Sequence, residues 1–392
     1  MILTAGQQKV LLDFASGENI LLLGDPGTGK STLIETIVNK ANKRGLNVAR
    51  TASTGIAAQL IGGRTIHSLL KAIPRIMKTE AVDYDEKASG LANIDVLIID
   101  EISMLGQKFI CYLYNCLAHA GRHIQLILAG DFFQLPPVKD CYAFTSPCWN
   151  NLNLRPNILT EVVRQKDTEF VQNINLLKYG DKRCLNYLLS HSSSAPLNGH
   201  IAICATRYDA QLINRAQLEE LPGIPQVYLS ECEGTVSTAD TQIEDCLVIK
   251  DGMRVMSIIN GTEYSNGSLG TVLRHTPDTV EVLFDSGADI CFEKICFTVE
   301  RTDRSGETVK LWQIPLRPAY AITIHKSQGQ TFEYLNIDGT KCWAPGQLYV
   351  AVSRAKRIEG IHFLTPIKEG NIRTNPTVLR FYEKLESQMK GS

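Results

Sequence analysis

Three short clusters in the first third of the chain hold residue types that can handle a nucleoside triphosphate. The segment GDPGTGKS, Gly24–Ser31, fits GxxxxGK[ST] and lies between an apolar run and a helical pattern, which is the context that motif needs. Glycines let backbone N–H groups converge on phosphate oxygens, and the start of the helix adds a favourable dipole. Gly24, Pro26, Gly27, Thr28, Gly29, Lys30, Ser31 and Thr32 form this candidate cradle; Lys30 can reach the β- and γ-phosphates, and Ser31 can ligate Mg²⁺. In LIIDEIS, Asp100 and Glu101 end a second apolar run. Asp100 suits the metal, and Glu101 suits orienting or deprotonating a water. In LAGDFFQLPPV, Asp131 and Gln134 follow a third run, where Gln134 can touch the γ-phosphate or the lytic water. Phe132, Phe133, Pro136 and Pro137 offer apolar faces for stacking on unpaired bases; for one of the two phenylalanines the core is the expected place.

Other candidates depend on what surrounds them. TASTGIAAQLIGGRTIHSLL, Thr51–Leu70, supplies Thr54, Gly55, Thr65, His67 and Ser68. Such small and hydroxylated residues can approach a sugar-phosphate backbone closely, although a Thr/Gly-rich turn is the plainer reading. Arg164 and Arg354 are single arginines that become interesting only if a second unit closes over the nucleotide of the first, as arginine fingers. A dense polar stretch lies far downstream, AYAITIHKSQGQT, with His325, Lys326, Ser327, Gln328 and Gly329.

The elements that must position these groups are legible as patterns. NILLLG (Asn19–Gly24), IDVLIID (Ile94–Asp100) and IQLILAGD (Ile124–Asp131) are short continuous apolar runs, the mark of buried parallel strands. Helical patterns at Lys30–Lys43 and Lys108–Ala120 alternate with them, predicting a doubly wound α/β sheet with its ligand at the carboxyl ends of the strands. A second α/β unit begins at His200–Leu221 and resumes at Pro315. The segment between differs in character: TVEVLF alternates, and turn signals recur at Asn266-Gly267 and Ser305-Gly306. The expected organisation is a first unit over 1–160 with an insertion at 69–93, a second over 161–246 and 313–392, and a small antiparallel β module over 247–312.

Composition narrows the class. The 392 residues are 44% hydrophobic and carry a formal net charge of -1, so bulk charge does not attract nucleic acid, although a local basic channel remains allowed. The 11 cysteines include no CxxC pair and read as buried, reduced core residues. The start lacks a signal-peptide pattern and no apolar run approaches membrane-spanning length, so a soluble intracellular protein is expected, with no membrane partner.

Taken in order, the motifs resemble superfamily 1 helicases of the 5′-to-3′, RecD-like branch. EVVRQKDTEFVQNINLLKYGD, TASTGIAAQLIGGRTIHS, GDFFQLPPV, NGSLGTV and IHKSQGQT resemble the signature of the petite-integration-frequency (PIF) family of DNA helicases. Asp25-Pro26 in the variable part of the loop, and Val163 where an aromatic is commoner, are small departures. The chain resembles the helicase core without the N-terminal extension of some eukaryotic members. The resemblance implies two RecA-like P-loop domains, an inserted Src-homology-type barrel, and a strand-separating wedge at 69–93. It implies that Gln7 reads adenine and that ATP and Mg²⁺ are the cofactors. Lys30, Asp100, Glu101, Gln134, Arg164 and Arg354 would carry catalysis, with Gly329 bordering the nucleotide. Thr54, Gly55, His67, Ser68, Phe132, Pro136, Pro137, Asn266, His325, Lys326 and Ser327 would face single-stranded DNA. It further implies unwinding of tailed duplexes and G-quadruplexes by a free-state monomer. An RNA translocase, or an ATP switch that clamps without unwinding, stays open on the residues alone.

Overall fold

The computed structural model describes residues 3–54, 57–58, 61–70, 90–161, 167–197, 199–233, 243–300 and 308–390. Helix α1 (Ala5–Ala15) opens on a capping box in which Thr4 and Gln7 satisfy each other's backbone N–H groups. Strands β1 (Ile20–Gly24), β2 (Val48–Ala52), β3 (Arg64–Thr65), β4 (Val96–Asp100), β5 (Gln125–Gly130) and β6 (Arg155–Leu159) form one sheet, ordered β3-β2-β4-β5-β1-β6. Every pairing in it is parallel. Strands β1 and β5 are buried along their whole length. Helices cover both faces of such strands, which is why their sequences are continuously apolar rather than alternating. Helices α2 (Lys30–Lys43), α3 (Ile66–Leu69) and α4 (Gln107–Ala118) complete this unit. The register sets Leu23 beside Gly130 and Ala52 beside Asp100, so the three polar clusters meet at one edge of the sheet.

Helices α5 (Thr168–Lys178) and α6 (Cys184–His191) lead into β7 (Ala202–Cys204) and α7 (Arg207–Glu220) of the second unit. There follow β8 (Gln226–Leu229), β9 (Glu231–Cys232), β10 (Cys246–Ile249), β11 (Arg254–Ser257), β12 (Leu269–His275), β13 (Thr279–Phe284), β14 (Asp289–Glu293), β15 (Ile295–Glu300), β16 (Thr308–Gln313) and β17 (Leu316–Pro318), all paired antiparallel. The chain then returns with β18 (Ala321–Thr323), β19 (Leu335–Asp338), α8 (Gln347–Val352), β20 (Ile361–Thr365) and α9 (Pro376–Lys390). The second sheet is parallel in the order β18-β7-β19-β20.

The inserted module is larger than the expected 247–312. Strands β8 and β9 pair with β10 and β16, and Tyr228 is buried with Leu247, Ile249, Val280 and Val282 in the module's own core. Its hydroxyl donates to the carbonyls of Thr276 and Thr279. The alternation on which the boundary rested is clear in β13, where Val280, Val282 and Phe284 point inward, but β8 is too short to show it.

The expectation of buried cysteines is also corrected. All eleven are free, yet Cys141, Cys232, Cys246, Cys291 and Cys296 are exposed. Most of these sit on inserted strands that have one wet face, so an apolar neighbour in sequence need not mean a buried position. No helix among the described residues is long and apolar enough to cross a membrane. The insertion expected at 69–93 lies outside the described residues over 71–89.

An aromatic seam joins the units. Phe381 of α9 stacks on Phe144 with ring centroids 4.0 Å apart, and Phe132 meets both rings edge-on. Tyr382 packs on Phe133 at 4.5 Å. Phe132 and Phe133 are 0% and 4% exposed, so neither offers a face to a base, and the expectation for Phe132 is overturned. Rings of this size contribute most when fully desolvated, and α9 supplies the apolar partners that a local reading of GDFFQLPP lacks.

Candidate nucleotide and nucleic-acid site

The glycine-rich loop runs from the buried end of β1 into α2. Gly29 caps α2 at φ +82°, and a Cβ there would sit 2.8 Å from Gln7 Nε2, so backbone angle and space both demand glycine. Lys30 Nζ donates to the carbonyls of Gly24 at 2.5 Å and Asp25 at 3.0 Å. Thr28 is tied to the Asp25 carbonyl through both its N–H and its hydroxyl. Pro26 and Gly27 are half-buried within the loop, while Ser31 and Thr32 lie exposed on the first turn of α2. Gln7 is 2% exposed. Its Oε1 accepts from Thr4 N and its Nε2 donates to the Thr28 carbonyl at 3.3 Å. Gln7 thus ties α1 to the loop, and each end of the amide keeps one further hydrogen-bonding position.

The acidic pair sits one strand over. Glu101 has φ 54°, a left-handed conformation rare outside glycine, and its N–H donates to Asp100 Oδ1 at 2.8 Å. Such strain persists only where the surroundings enforce it, and it clusters at working sites. Burial, then the neighbouring Asp100 charge, push Glu101 up to about 7, while Lys30, Arg354 and Gln328 pull the other way. Burial raises Asp100 as well. A carboxylate poised near neutrality is what a general base requires.

The second unit completes the constellation. Gln328 Nε2 donates to Glu101 Oε2 at 3.0 Å and lies 3.4 Å from Gln134 Oε1. Its own Oε1 is buried with no hydrogen-bond partner, an unspent acceptor. Gly329 follows at φ +80°. Arg354 is 4% exposed; its Nε donates to the Val350 carbonyl at 3.0 Å and its Nη2 to Ser353 Oγ at 3.0 Å. It also lowers the Glu101 pKa, so its charge is felt at that carboxylate. Arg164 lies outside the described residues, as does Gly55.

The metal donors fit a hard cation. Ser31 offers a hydroxyl and Asp100 a carboxylate, and no group of three or more His, Cys, Asp or Glu gathers among the described residues. One or two oxygen ligands from protein, with the rest from phosphate and water, is how Mg²⁺ is held at phosphoryl-transfer sites.

The residues expected to face DNA divide in two. Thr54, His67, Ser68, Pro136 and Lys326 are half-buried and His325 is exposed. Ser327 is fully buried and its hydroxyl donates to the Ile324 carbonyl at 2.8 Å. Pro137 is buried, and Asn266 is 5% exposed with Nδ2 donating to the Ile258 carbonyl. Ser327, Pro137 and Asn266 therefore hold their loops in shape and do not reach a strand. Burial, with Arg317 and Arg207 nearby, pushes the Lys326 ammonium down to about 8, against an opposing pull from Glu244. Of these cations Arg207 is exposed and Lys326 half-buried, while Arg317 is 3% exposed.

His67 packs against Phe109 at 4.8 Å, and burial pushes its pKa down to about 4. At pH 7 the ring is neutral, a hydrogen-bonding group rather than a cation. The unfolded chain binds this proton below about 6.5, so the stability held above that pH is lost as the pH falls towards 4. The urea midpoint should drop between pH 7 and pH 5, and less so in His67→Gln; equal drops would count against a buried neutral ring.

Residues 2–194 match the model of an AAA domain and residues 318–357 that of a UvrD-like helicase C-terminal domain. The ATP-dependent DNA helicase Pif1 of Bdellovibrio bacteriovorus is 32% identical over 411 residues, covering 97% of this chain and 92% of that protein. The chain belongs to the Pif1 family. Among Pif1 structures, that of Candida albicans superposes with a TM-score of 0.82 at 30% identity, covering 99% of this chain and 100% of that one. The Bacteroides Pif1 in complex with ADP-AlF3 and single-stranded DNA superposes at 0.78 and 29%, covering 99% and 98%. The chain spans 65% of the length of the Xenopus laevis Pif1 helicase.

Two charged residues gain their partners only from the fold. Asp131 is fully buried, accepting from Tyr349 at 2.9 Å and from Tyr382 at 3.4 Å, both in the second unit. Lys178 reaches Asp25 of the loop. Asp131 had a signal, a carboxylate directly after a buried strand; Lys178 lies within the quoted EVVRQKDTEFVQNINLLKYGD stretch, but nothing there points to its partner.

Proposed function

We propose that the chain is an ATP-dependent DNA helicase that moves 5′-to-3′ along single-stranded DNA and opens tailed duplexes, with Mg²⁺ bound at Ser31 and Asp100. The observation that carries this reading is the bridge from Gln328 to Glu101 and Gln134, because one hydrolytic site is built from both units. A site shared in this way makes nucleotide state a matter of distance between the units. The second unit presents His325 and Lys326 from the same short segment as Gln328, so grip on a strand and contact with the base move together.

Glu101 takes the proton of the attacking water, Lys30 draws the phosphates into the loop, and Gln134 with Gln328 orients the water. Arg354 offsets negative charge from the second unit. Mg²⁺, when bound, neutralises charge on the phosphate oxygens. Opening a duplex step costs on average about 1.4 kcal/mol, so a steady motor with a steric edge suffices. The free protein is a monomer, and activity on G-quadruplexes and recombination intermediates extends the same translocation.

Matched duplexes with either a 5′ or a 3′ single-stranded tail test the reading. ATP and Mg²⁺ should release the strand from the 5′-tailed substrate at least tenfold faster than from the 3′-tailed one (an order-of-magnitude expectation). Release from neither substrate, with DNA-stimulated ATP hydrolysis intact, would leave a clamp rather than a helicase; stronger stimulation by RNA oligomers would move the substrate to RNA.

A further inference from the structure

Asp25 occupies a loop position at which phosphate binding makes no demand on side-chain type. A carboxylate there is adverse, because it stands beside the place where a triphosphate puts its own negative charge. Its Oδ1 meets Lys178 Nζ at 2.5 Å, with the two side chains 13% and 7% exposed. Lys178 ends α5 in the second unit, and its ammonium also lies 4.6 Å from the Phe133 ring centroid and 5.6 Å from that of Tyr382. Asp25 does two things at once. Its side chain crosses to the second unit, and its carbonyl accepts from Lys30 and Thr28. Although burial works against the charged ammonium, Asp25 and Asp131 more than offset it and hold Lys178 above the ordinary lysine range.

We propose that Lys178 is a positioning residue for nucleotide affinity: it neutralises Asp25 when the units are together and uncovers that carboxylate when they part. Separation of the units then weakens the loop's hold on nucleotide, because an unscreened negative charge faces the phosphates. Product release is thereby tied to opening through a side-chain pair, independently of Arg354 and Gln328.

The idea rests on the nucleotide site proposed above, and opposite signs in the two halves of the pair test it. ADP with Mg²⁺ is the probe, titrated calorimetrically against the full chain with and without single-stranded DNA. Lys178→Met should raise the Kd for ADP about tenfold, the scale of one uncompensated charge near phosphate. Asp25→Asn should leave ADP bound as tightly or a few-fold tighter, with slower ADP release in stopped flow, an order-of-magnitude expectation on the same ground. The double variant should return the Kd to within about two- to threefold of the parent, the non-additivity expected of contacting residues. Lys178→Met that lowers the thermal midpoint but leaves the Kd unmoved would overturn the proposal and leave a structural pair. Should Lys178→Met fail to fold, Asp25→Asn decides alone, since a tenfold weakening there contradicts the proposed sign. A parent protein that binds no ADP would defeat the nucleotide site itself, whereas normal parent binding with an unmoved Lys178→Met, or with an Asp25→Asn whose ADP affinity and release rate both stay at the parental values, defeats only this inference.

Discussion

Glu101→Gln is expected to lower the turnover of ATP by about 10²–10⁴-fold while leaving ATP bound within a few-fold of the parent. The substitution keeps size and the hydrogen-bonding edge but removes the site that accepts a proton. Its partner Gln328 donates at 3.0 Å to one carboxylate oxygen, and an amide oxygen in the same place can still accept, so the junction between the units survives. The pH profile separates a base from a mere strut. Burial and the Asp100 charge place Glu101 at about 7. The working form is the carboxylate, so kcat/KM should rise as pH increases through that value and level off above it. In Glu101→Gln the residual rate should lose this limb. A variant that turns over ATP at a tenth of the parental rate or better, with the limb retained, would remove Glu101 from the role of base.

Arg354→Lys should cut single-turnover hydrolysis by about 10³-fold or more, the scale of arginine fingers in related chemistry, with ATP affinity nearly unchanged. The side chain is 4% exposed and aligned by bonds to the Val350 carbonyl, the Gln330 carbonyl and Ser353 Oγ. Lysine preserves the charge but not the planar fork that matches phosphate oxygens from a fixed direction. If charge alone mattered, Arg354→Lys would keep most of the activity, and a loss smaller than about tenfold would reject the finger role. Quenched-flow measurement in the presence of saturating single-stranded DNA keeps product release out of the comparison.

These expectations drew on different depths of the molecule. The loop, the acidic pair and the strands beneath them were readable because each is a local pattern. Buried parallel strands must be continuously apolar, phosphate needs glycine-rich backbone, and the first residues past a strand end are polar because they leave the sheet. The helix expected over Lys30–Lys43 is α2 with the same bounds. Those features are written in adjacent residues, so a linear reading reaches them.

What a linear reading could not reach is decided by partners distant in the chain. GDFFQLPP looks like an exposed apolar platform until α9 brings Phe381 and Tyr382 onto it. IHKSQGQT offers six polar side chains of equal promise, yet the short turn at Ile324–Ser327 turns Ser327 inward and aims Gln328 at Glu101. Lys178 lies in a recognisable stretch, but its partner, the carboxylate of Asp25 in the other unit, cannot be read from it. Adjacent residues suffice to place a glycine-rich loop and the Asp100–Glu101 pair at the ends of buried parallel strands. Which of the remaining polar and aromatic groups stay available, and which are spent on packing, depends on the fold. Strand and helix patterns are set by neighbours a few residues apart, whereas burial, ion pairing and pKa are set by whatever the fold places on the other side.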